Sequence, residues 1–536
     1  SVIGTDVSRA ALTALVPAEA RTYLDRHLHA LTAKALIEPW NESRSNGAGF
    51  DFRHVLIQQA AYRSLTHHAR AELHERLATW LEHTSDARPT EVEELAGHHL
   101  EQAFHHRRDL GRSDPETAQL AVRAGARLAG AGLRAYARFD VPAAENLLSR
   151  ARDLLPADHG ERPRVLRRLA EAYPILGRRD KAEAVFAELL AVAERTGDDR
   201  MVRSVRLEQA RFRMITGPDP IPMATIHAEA REALDAFREV GDDVGVSQAH
   251  YVLAAVHLRA GRIAQLEEIG RRGIERARRT GDLRERLGAP WWVIYAMLAG
   301  PTPVPVCIRT IDEVADVGGL THLGALAALG HCKAMLGEFD EARRLAARAR
   351  ELLRERIRVP RPLAFIGERS AGIEQLAGRP DAAARALREA LDIARQVSDR
   401  EQTSEIAAQL SLLLADQGEC AEANRLATLA SQAAPAESVT AQALARAATA
   451  RVPPTPHREE AEALIRDAIA VVPLDMLELR ALLHVTLAKV MASGGRDDDA
   501  RSITDEATSL YRRKGNLVAA RRTSQRHRER PGRAFG

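Results

Sequence analysis

A chain of 536 residues is several times the length of one compact domain, so several domains or a long repeat array are expected. Hydrophobic residues make up 45% and charged residues 28%, an ordinary balance for a water-soluble chain, and a formal net charge of +3 gives no electrostatic case for binding nucleic acid or anionic lipid. Aromatics at 4% argue against β-sandwiches and for helices packed closely through small residues. The three cysteines, Cys307, Cys332 and Cys420, stand in no motif spacing and read as free thiols of a reducing cytoplasm rather than redox centres. No apolar run reaches the length of a membrane span and no signal-peptide pattern opens the chain, so a cytoplasmic location with no membrane partner is expected. The first residue is Ser rather than Met, and the chain is expected to be the downstream piece of a longer protein.

Residues 1–83 carry a mixed pattern. "PAEARTYLDRHLHALTAKALIEPW" predicts a helix with Leu24, Leu28, Leu31 and Ala35 on one face, running into a strand at "LIEPW". "NESRSNGAG" is a polar turn, and "FDFRH" is a returning strand with Phe50 and Phe52 on one side. Two amphipathic helices follow. Leu56, Ile57, Ala60 and Ala61 form the buried stripe of the first, and Leu73, Leu77, Trp80 and Leu81 that of the second. Helices followed by a two-strand hairpin describe a winged-helix unit, with sheet expected only in the hairpin near residues 36–54. Connecting helices fill residues 84–119.

From about residue 120 to 515 one pattern recurs: a helix, a turn residue, then a second helix with small residues at fixed offsets. The turn residues are Phe139, Gly177, Gly217, Gly261, Gly300, Gly337, Gly378, Gly418, Pro456 and Gly495, spaced about 37–44 residues apart, a period that signals a solenoid. Five residues past the turn stand Ala144, Ala182, Ala342, Ala383, Ala423, Ala461 and Ala500. Twelve past it stand Ala151, Leu189, Ala349, Ala390, Ala430, Ala468 and Ala507, and seven before it Gly132, Ala170, Ala254, Gly330, Ala371, Ser411 and Ala488. Small residues at these places let paired helices approach closely. The pattern weakens near Gly217 and Gly300, where "GPDPIP" and "GPTPVP" follow the turn, because proline is tolerated only in the first turn of a helix. Residues 516–536 read as a short basic solvated tail.

The offsets resemble the tetratricopeptide repeat (TPR), with a period longer than its usual ~34 residues. "SVIG", "LTAKALIEP", "FDFRHVLIQQAAY" and "RAELHERLATWLE" resemble the region after the ATPase core in large bacterial signalling ATPases. That group couples an AAA-like or STAND nucleotide switch to a winged helix and a repeat superhelix. It includes large LuxR-type regulators, the maltose-regulator type and cyclase-fused ATPases, and "LYRRKGNLVAARR" resembles the end of the repeat array in the last of these. The resemblance implies an all-α chain, a TPR-like helical-hairpin superhelix of about ten hairpins preceded by a small winged-helix domain. It also implies an upstream nucleotide-binding domain, absent from this chain, that holds ATP or ADP. No G-x-x-x-x-G-K-[ST] phosphate loop is present and no LuxR-type helix-turn-helix follows the repeats, so this chain is expected to hold no cofactor of its own and to make no direct nucleic-acid contact.

Candidate site residues are few. The resemblance implies that His54, at the strand–helix junction, contacts the diphosphate of bound ADP in the parent protein, although Val55 replaces the acidic residue of the family motif. A helix N-terminus beside an imidazole suits a phosphate; the alternative, which the residues favour, is a histidine that merely caps the junction. "HHLEQAFHH" offers His98, Glu101 and His105 on one helical face; without H-E-x-x-H or a fourth ligand it reads as a packing face, and no metal is expected. Trp291, Trp292 and Tyr295 form an aromatic cluster in an aromatic-poor chain, read either as ligand contacts on a concave wall or as a thickened core. No catalytic constellation is present, so no enzyme activity is expected. Two functions remain: the sensor half of a signalling ATPase, its superhelix binding an inducer or partner protein, or a free-standing TPR scaffold.

Overall fold

The computed structural model describes residues 1–536 apart from 5, 41–48, 84–88, 139, 217–221, 281–282, 315–318, 355–360, 453–457 and 529–536. It divides into two compact units, Ser1–Ala172 and Tyr173–Gly536. Among the described residues no helix is long and apolar enough to cross a membrane.

In the first unit the expected hairpin is present as strands Ile37–Pro39 and Gly49–Phe52, antiparallel with Ile37 opposite Phe52. The turn assigned to "NESRSNGAG" lies almost wholly outside the described residues. The hairpin is not the whole sheet. A third strand, Asp6–Ser8, pairs with the other edge of Gly49–Phe52, Val7 opposite Phe50. Three residues are too few to show a period-two pattern, which is why the sequence gives no sign of it. Gly49 is required where it stands: the Trp40 ring lies over it, and a Cβ there would come within 2.7 Å of the indole. Trp40 Nε1 donates to Asp51 Oδ1 at 2.8 Å and fixes the ring.

The helical faces of this unit need correction. Helix Leu24–Ala33 buries Leu28, but Leu31 is exposed and Ala35 lies past the helix end in a left-handed turn. Helix Val55–Arg63 does not bury the stripe assigned to it. Leu56 is 63% exposed and Ala60 is exposed, while Ile57 and Ala61 are half-buried. Helix His67–His83 follows expectation, with buried Leu77 and half-buried Leu73, Trp80 and Leu81 packed against Val2, Ala11 and Leu15.

The remainder is an all-α array of TPR-like hairpins. Ten pairs of helices run from Pro115–Ala137 with Val141–Leu154 to Leu477–Ser493 with Asp497–Lys514 among the described residues. The small residues sit where the offsets require. Ala144, Ala182, Ala342, Ala383 and Ala423 are all 0% exposed, and the residues twelve past and seven before each turn are buried as well. Gly177, Gly261, Gly337, Gly378, Gly418 and Gly495 take positive φ, the left-handed conformation that ends a helix. Phe139, Gly217 and Pro456 lie outside the described residues.

Gly300 departs from this rule, and the chain ends its helix by another device. Helix Leu283–Ala299 is followed by "GPTPVP", and the next helix, Val304–Val314, starts after Pro301 and Pro303 and carries Pro305 in its first turn. The ammonium of Lys514, last residue of helix Asp497–Lys514, donates to the carbonyls of Met297, Gly300 and Thr302 at 2.5, 2.8 and 2.9 Å. Lys514 is fully buried. The segment read as a tail from residue 516 carries one more helix, Leu517–Arg528, whose Arg522 donates to the Gln375 carbonyl at 2.7 Å. Within the second unit, then, the last hairpin packs on helices some 150–217 residues earlier in the chain.

Enlarging the small residue at the helix contact tests this packing. Ala182→Leu and Ala383→Leu should each lower stability by roughly 1–3 kcal/mol, read from urea or thermal unfolding. Unchanged midpoints for both would place these positions at the surface.

Candidate functional site

The first helices of five successive hairpins in the second unit, Asp243–Arg259, Leu283–Ala299, Gly319–Leu336, Arg361–Leu376 and Arg400–Gln417, bury mostly alanine and leucine against their neighbours. One face of each breaks that composition. Trp291 and Tyr295 are four residues apart, as are Phe365 and Arg369, and Glu401, Glu405 and Gln409, so each set lies on one helical stripe. His331 and Arg259 complete the group.

These side chains form one connected cluster. Trp291 meets Phe365 edge to face with ring centroids 4.7 Å apart, and the Arg369 guanidinium lies 5.2 Å from the Phe365 centroid. Arg369 donates to Glu368 Oε1 at 2.5 Å, and Gln409 Nε2 donates to the same oxygen at 2.7 Å. Arg259 Nε donates to Glu401 Oε2 at 2.9 Å, joining helices 142 residues apart. Two glycines make room: a Cβ at Gly324 would come within 2.5 Å of the Trp291 ring, and one at Gly372 within 2.7 Å of His331.

Among the described residues, one acid of the cluster forms no ion pair, although the Arg369 charge acts on it. Arg259 is matched to Glu401 and Arg369 to Glu368. Glu405 remains. Desolvation, with the negative charges of Glu401 and Glu368, pushes its carboxyl well above the usual carboxylate range. Desolvation and the same acids, Glu405 first, raise the Tyr295 phenol. Desolvation, with Arg369 and Lys514, lowers His331 to about 3, so its imidazole is neutral. Two buried polar atoms of the cluster have no hydrogen-bond partner among the described residues, His331 Nδ1 and Arg369 Nε. Buried polar groups are ordinarily satisfied, so two orphans in one half-buried cluster set it apart from the alanine- and leucine-lined contacts around it.

The residues singled out in the sequence separate. Trp291 and Tyr295 are half-buried and belong to the cluster, whereas Trp292, 7% exposed, is core and packs edge to face on Tyr251. His54 caps helix Val55–Arg63: the Leu56 N–H donates to its Nδ1 at 3.1 Å, and the ring is exposed at the strand–helix junction. His98 and Glu101 both face Arg150, whose guanidinium donates to the Glu101 carboxylate, while His105 is exposed, so the three do not converge. Cys307 and Cys332 are buried free thiols held above their ordinary range by desolvation, and Cys420 is free and exposed. Sequence reading missed His331, Phe365, Glu368, Arg369 and Glu405. The available signal was charged and aromatic residues at four-residue spacing inside helices that are otherwise alanine and leucine.

No protein-family model matches the chain, and no curated protein matches its sequence. Among solved structures it is similar to the Rap protein complexed with Competence and Sporulation Factor (10% identity, 70% of this chain and 97% of that one, TM-score 0.43). It is also similar to the apo quorum sensor NprR from B. thuringiensis (12%, 64% and 96%, TM-score 0.39) and to the APC/C hetero-tetramer Cut9–Hcn1 (12%, 97% and 98%, TM-score 0.42).

The neutral His331 predicts a pH effect. Its folded pKa of about 3 lies below the unfolded value of 6.5, so its contribution to stability is present above pH 6.5 and is lost as pH falls through that window. His331→Asn removes one such proton uptake. The plot of unfolding free energy against pH between 6 and 4 should be shallower than the parent's by about 1.4 kcal/mol per pH unit. Parallel plots would mean that the ring protonates in the fold.

Proposed function

We propose that the chain is a helical-repeat binding module whose guest, a peptide or small molecule bearing a cationic or amide N–H group, enters the polar cluster of the second unit. The observation that carries this reading is Glu405, which forms no ion pair among the described residues, together with the orphaned His331 Nδ1 and Arg369 Nε, in a cluster with Trp291, Phe365 and Tyr295. A guest ammonium or guanidinium would ionise Glu405 and stack on the rings, while its carbonyls would take the Arg369 Nε–H. The site holds groups for recognition and none arranged for bond cleavage. Titrating the protein with short Lys- or Arg-bearing peptides while following tryptophan emission should give saturable binding, weakened at least tenfold by Glu405→Gln and by Trp291→Ala. Equal binding of acidic peptides, or binding indifferent to both substitutions, would reject the site.

A second reading concerns the parent protein. Residues 6–63 run strand, helix, 3-10 turn, helix, hairpin and helix, an order that would suit a winged-helix unit, and Val55 and Leu56 leave apolar surface beside the exposed His54 ring. These features suit a contact with an upstream nucleotide-binding domain, through which occupancy of the repeats would be coupled to a switch. With Nδ1 accepting from Leu56, the His54 ring carries its proton on Nε2, aimed outward and able to donate to a phosphate. In a protein carrying that domain, His54→Ala should lower the ADP retained on purification. Unchanged ADP content would reduce His54 to a helix cap.

A further inference from the structure

A different cluster lies in the first unit, where the sequence points to no metal. His67 opens helix His67–His83, and His106 and Asp109 stand three residues apart in the last turn of helix Pro89–Asp109. Their donor atoms converge. His106 Nδ1 lies 3.3 Å from His67 Nδ1, His67 Nδ1 lies 3.3 Å from Asp109 Oδ2, and His106 Nδ1 lies 3.9 Å from that same oxygen. Among the described residues this is the one group of three potential ligands whose atoms all fall within 4.8 Å of one another. Around a tetrahedral zinc ion with bonds of about 2.0–2.1 Å, neighbouring ligand atoms are about 3.3–3.4 Å apart. Two edges of that triangle are already in place, and the third is wider by about half an ångström.

We propose that His67, His106 and Asp109 bind a divalent transition-metal ion of the Zn²⁺ class, with water in the fourth position. His106 is buried, whereas His67 and Asp109 are exposed, so the ion has an entry path and an open coordination site. A ligating histidine needs a partner for its other ring nitrogen. His106 Nε2 lies 2.8 Å from the Tyr62 hydroxyl, which lies 2.9 Å from His74 Nε2, and His74 Nδ1 lies 2.9 Å from His99 Nδ1. When His106 Nδ1 gives its lone pair to the ion, its proton sits on Nε2 and donates to Tyr62. Tyr62 then donates to His74, and His74 to His99. His106, Tyr62 and His74 thus each have one proton to give and one partner to receive it, and His99 accepts the last.

The surrounding charges are compatible with a cation. Arg70 is the opposing cation, but its guanidinium is committed to the Tyr62 and Arg63 carbonyls. The carboxyl end of helix Pro89–Asp109 and the Asp109 carboxylate favour positive charge at this place. Bound there, the ion would tie the start of one helix to the end of the next.

The test uses the full chain, stripped with EDTA, titrated with Zn²⁺ by calorimetry and with Co²⁺ by visible absorption. The expected result is one ion per chain, an intense four-coordinate Co²⁺ spectrum and a higher melting temperature with Zn²⁺. His67→Ala and Asp109→Asn, both at exposed positions, should each weaken binding at least tenfold. Tyr62→Phe should weaken it by about 10–100-fold through loss of the relay. His68→Ala and His105→Ala serve as controls for neighbouring surface histidines. Stoichiometric binding that survives the His67→Ala/Asp109→Asn double variant, binding lost instead in the controls, a six-coordinate Co²⁺ spectrum, or no binding tighter than millimolar would each overturn the assignment.

Discussion

The second unit depends on a buried ammonium. A lysine taken out of water loses hydration, and desolvation lowers the Lys514 pKa accordingly. Three carbonyl acceptors compensate, all at the end of helix Leu283–Ala299 and in the turn that follows it. The prolines of "GPTPVP" supply no N–H groups, and Gly300 does not take the left-handed conformation used at the regular turns. Lys514 therefore does from a distant repeat what a local glycine does elsewhere. Glu478, raised to about 7 by desolvation, and the Cys307 and Cys332 thiols act on the ammonium in the opposite sense to desolvation. The carbonyl dipoles hold the charge at close range.

The polar cluster shares this dependence. Helices Leu283–Ala299, Gly319–Leu336 and Arg361–Leu376 contribute Trp291, Tyr295, His331, Phe365, Glu368 and Arg369, and two of these helices are held from behind by the end of the chain. Lys514 fixes the first, and Arg522 reaches the last turn of the third. Val518 also sits 3.7 Å from the Cβ position of Gly337, beside the end of the middle helix. A half-wetted cluster with orphaned polar atoms keeps its geometry only if its walls are fixed from outside.

How much of this was legible follows from the range of each interaction. The hairpin array was readable because a helix pair repeats the same contact every 37–44 residues, and that contact selects alanine at the same offset each time. Contacts made once leave no such trace. Lys514 looks like any basic residue at a helix end, and Leu517–Arg528 looks like a charged tail because its last buried apolar residue, Ala520, is followed by eight residues of which four are arginine. The stripe misassigned at Leu56 follows the same logic. Amphipathic spacing says which residues share a face but not whether anything covers it. The donors from His67 to Asp109 meet only through helix pairing; the spacing of His106 and Asp109 was visible, and their third member was not.

Solenoids ordinarily tolerate gain or loss of a unit, because each repeat touches only its neighbours and the array behaves as a one-dimensional chain. The bonds from Lys514 to residues 297–302 remove that freedom, since they join units more than 200 residues apart. Duplicating or deleting one hairpin between them would carry the lysine past its acceptors by a full repeat. Repeat number in this part of the chain is therefore fixed by a ring-closure condition, as strand number is fixed in a closed barrel. Such an array would evolve by substitution within its repeats rather than by copying them, and that accounts for hairpins that keep their small residues at three offsets while sharing little else.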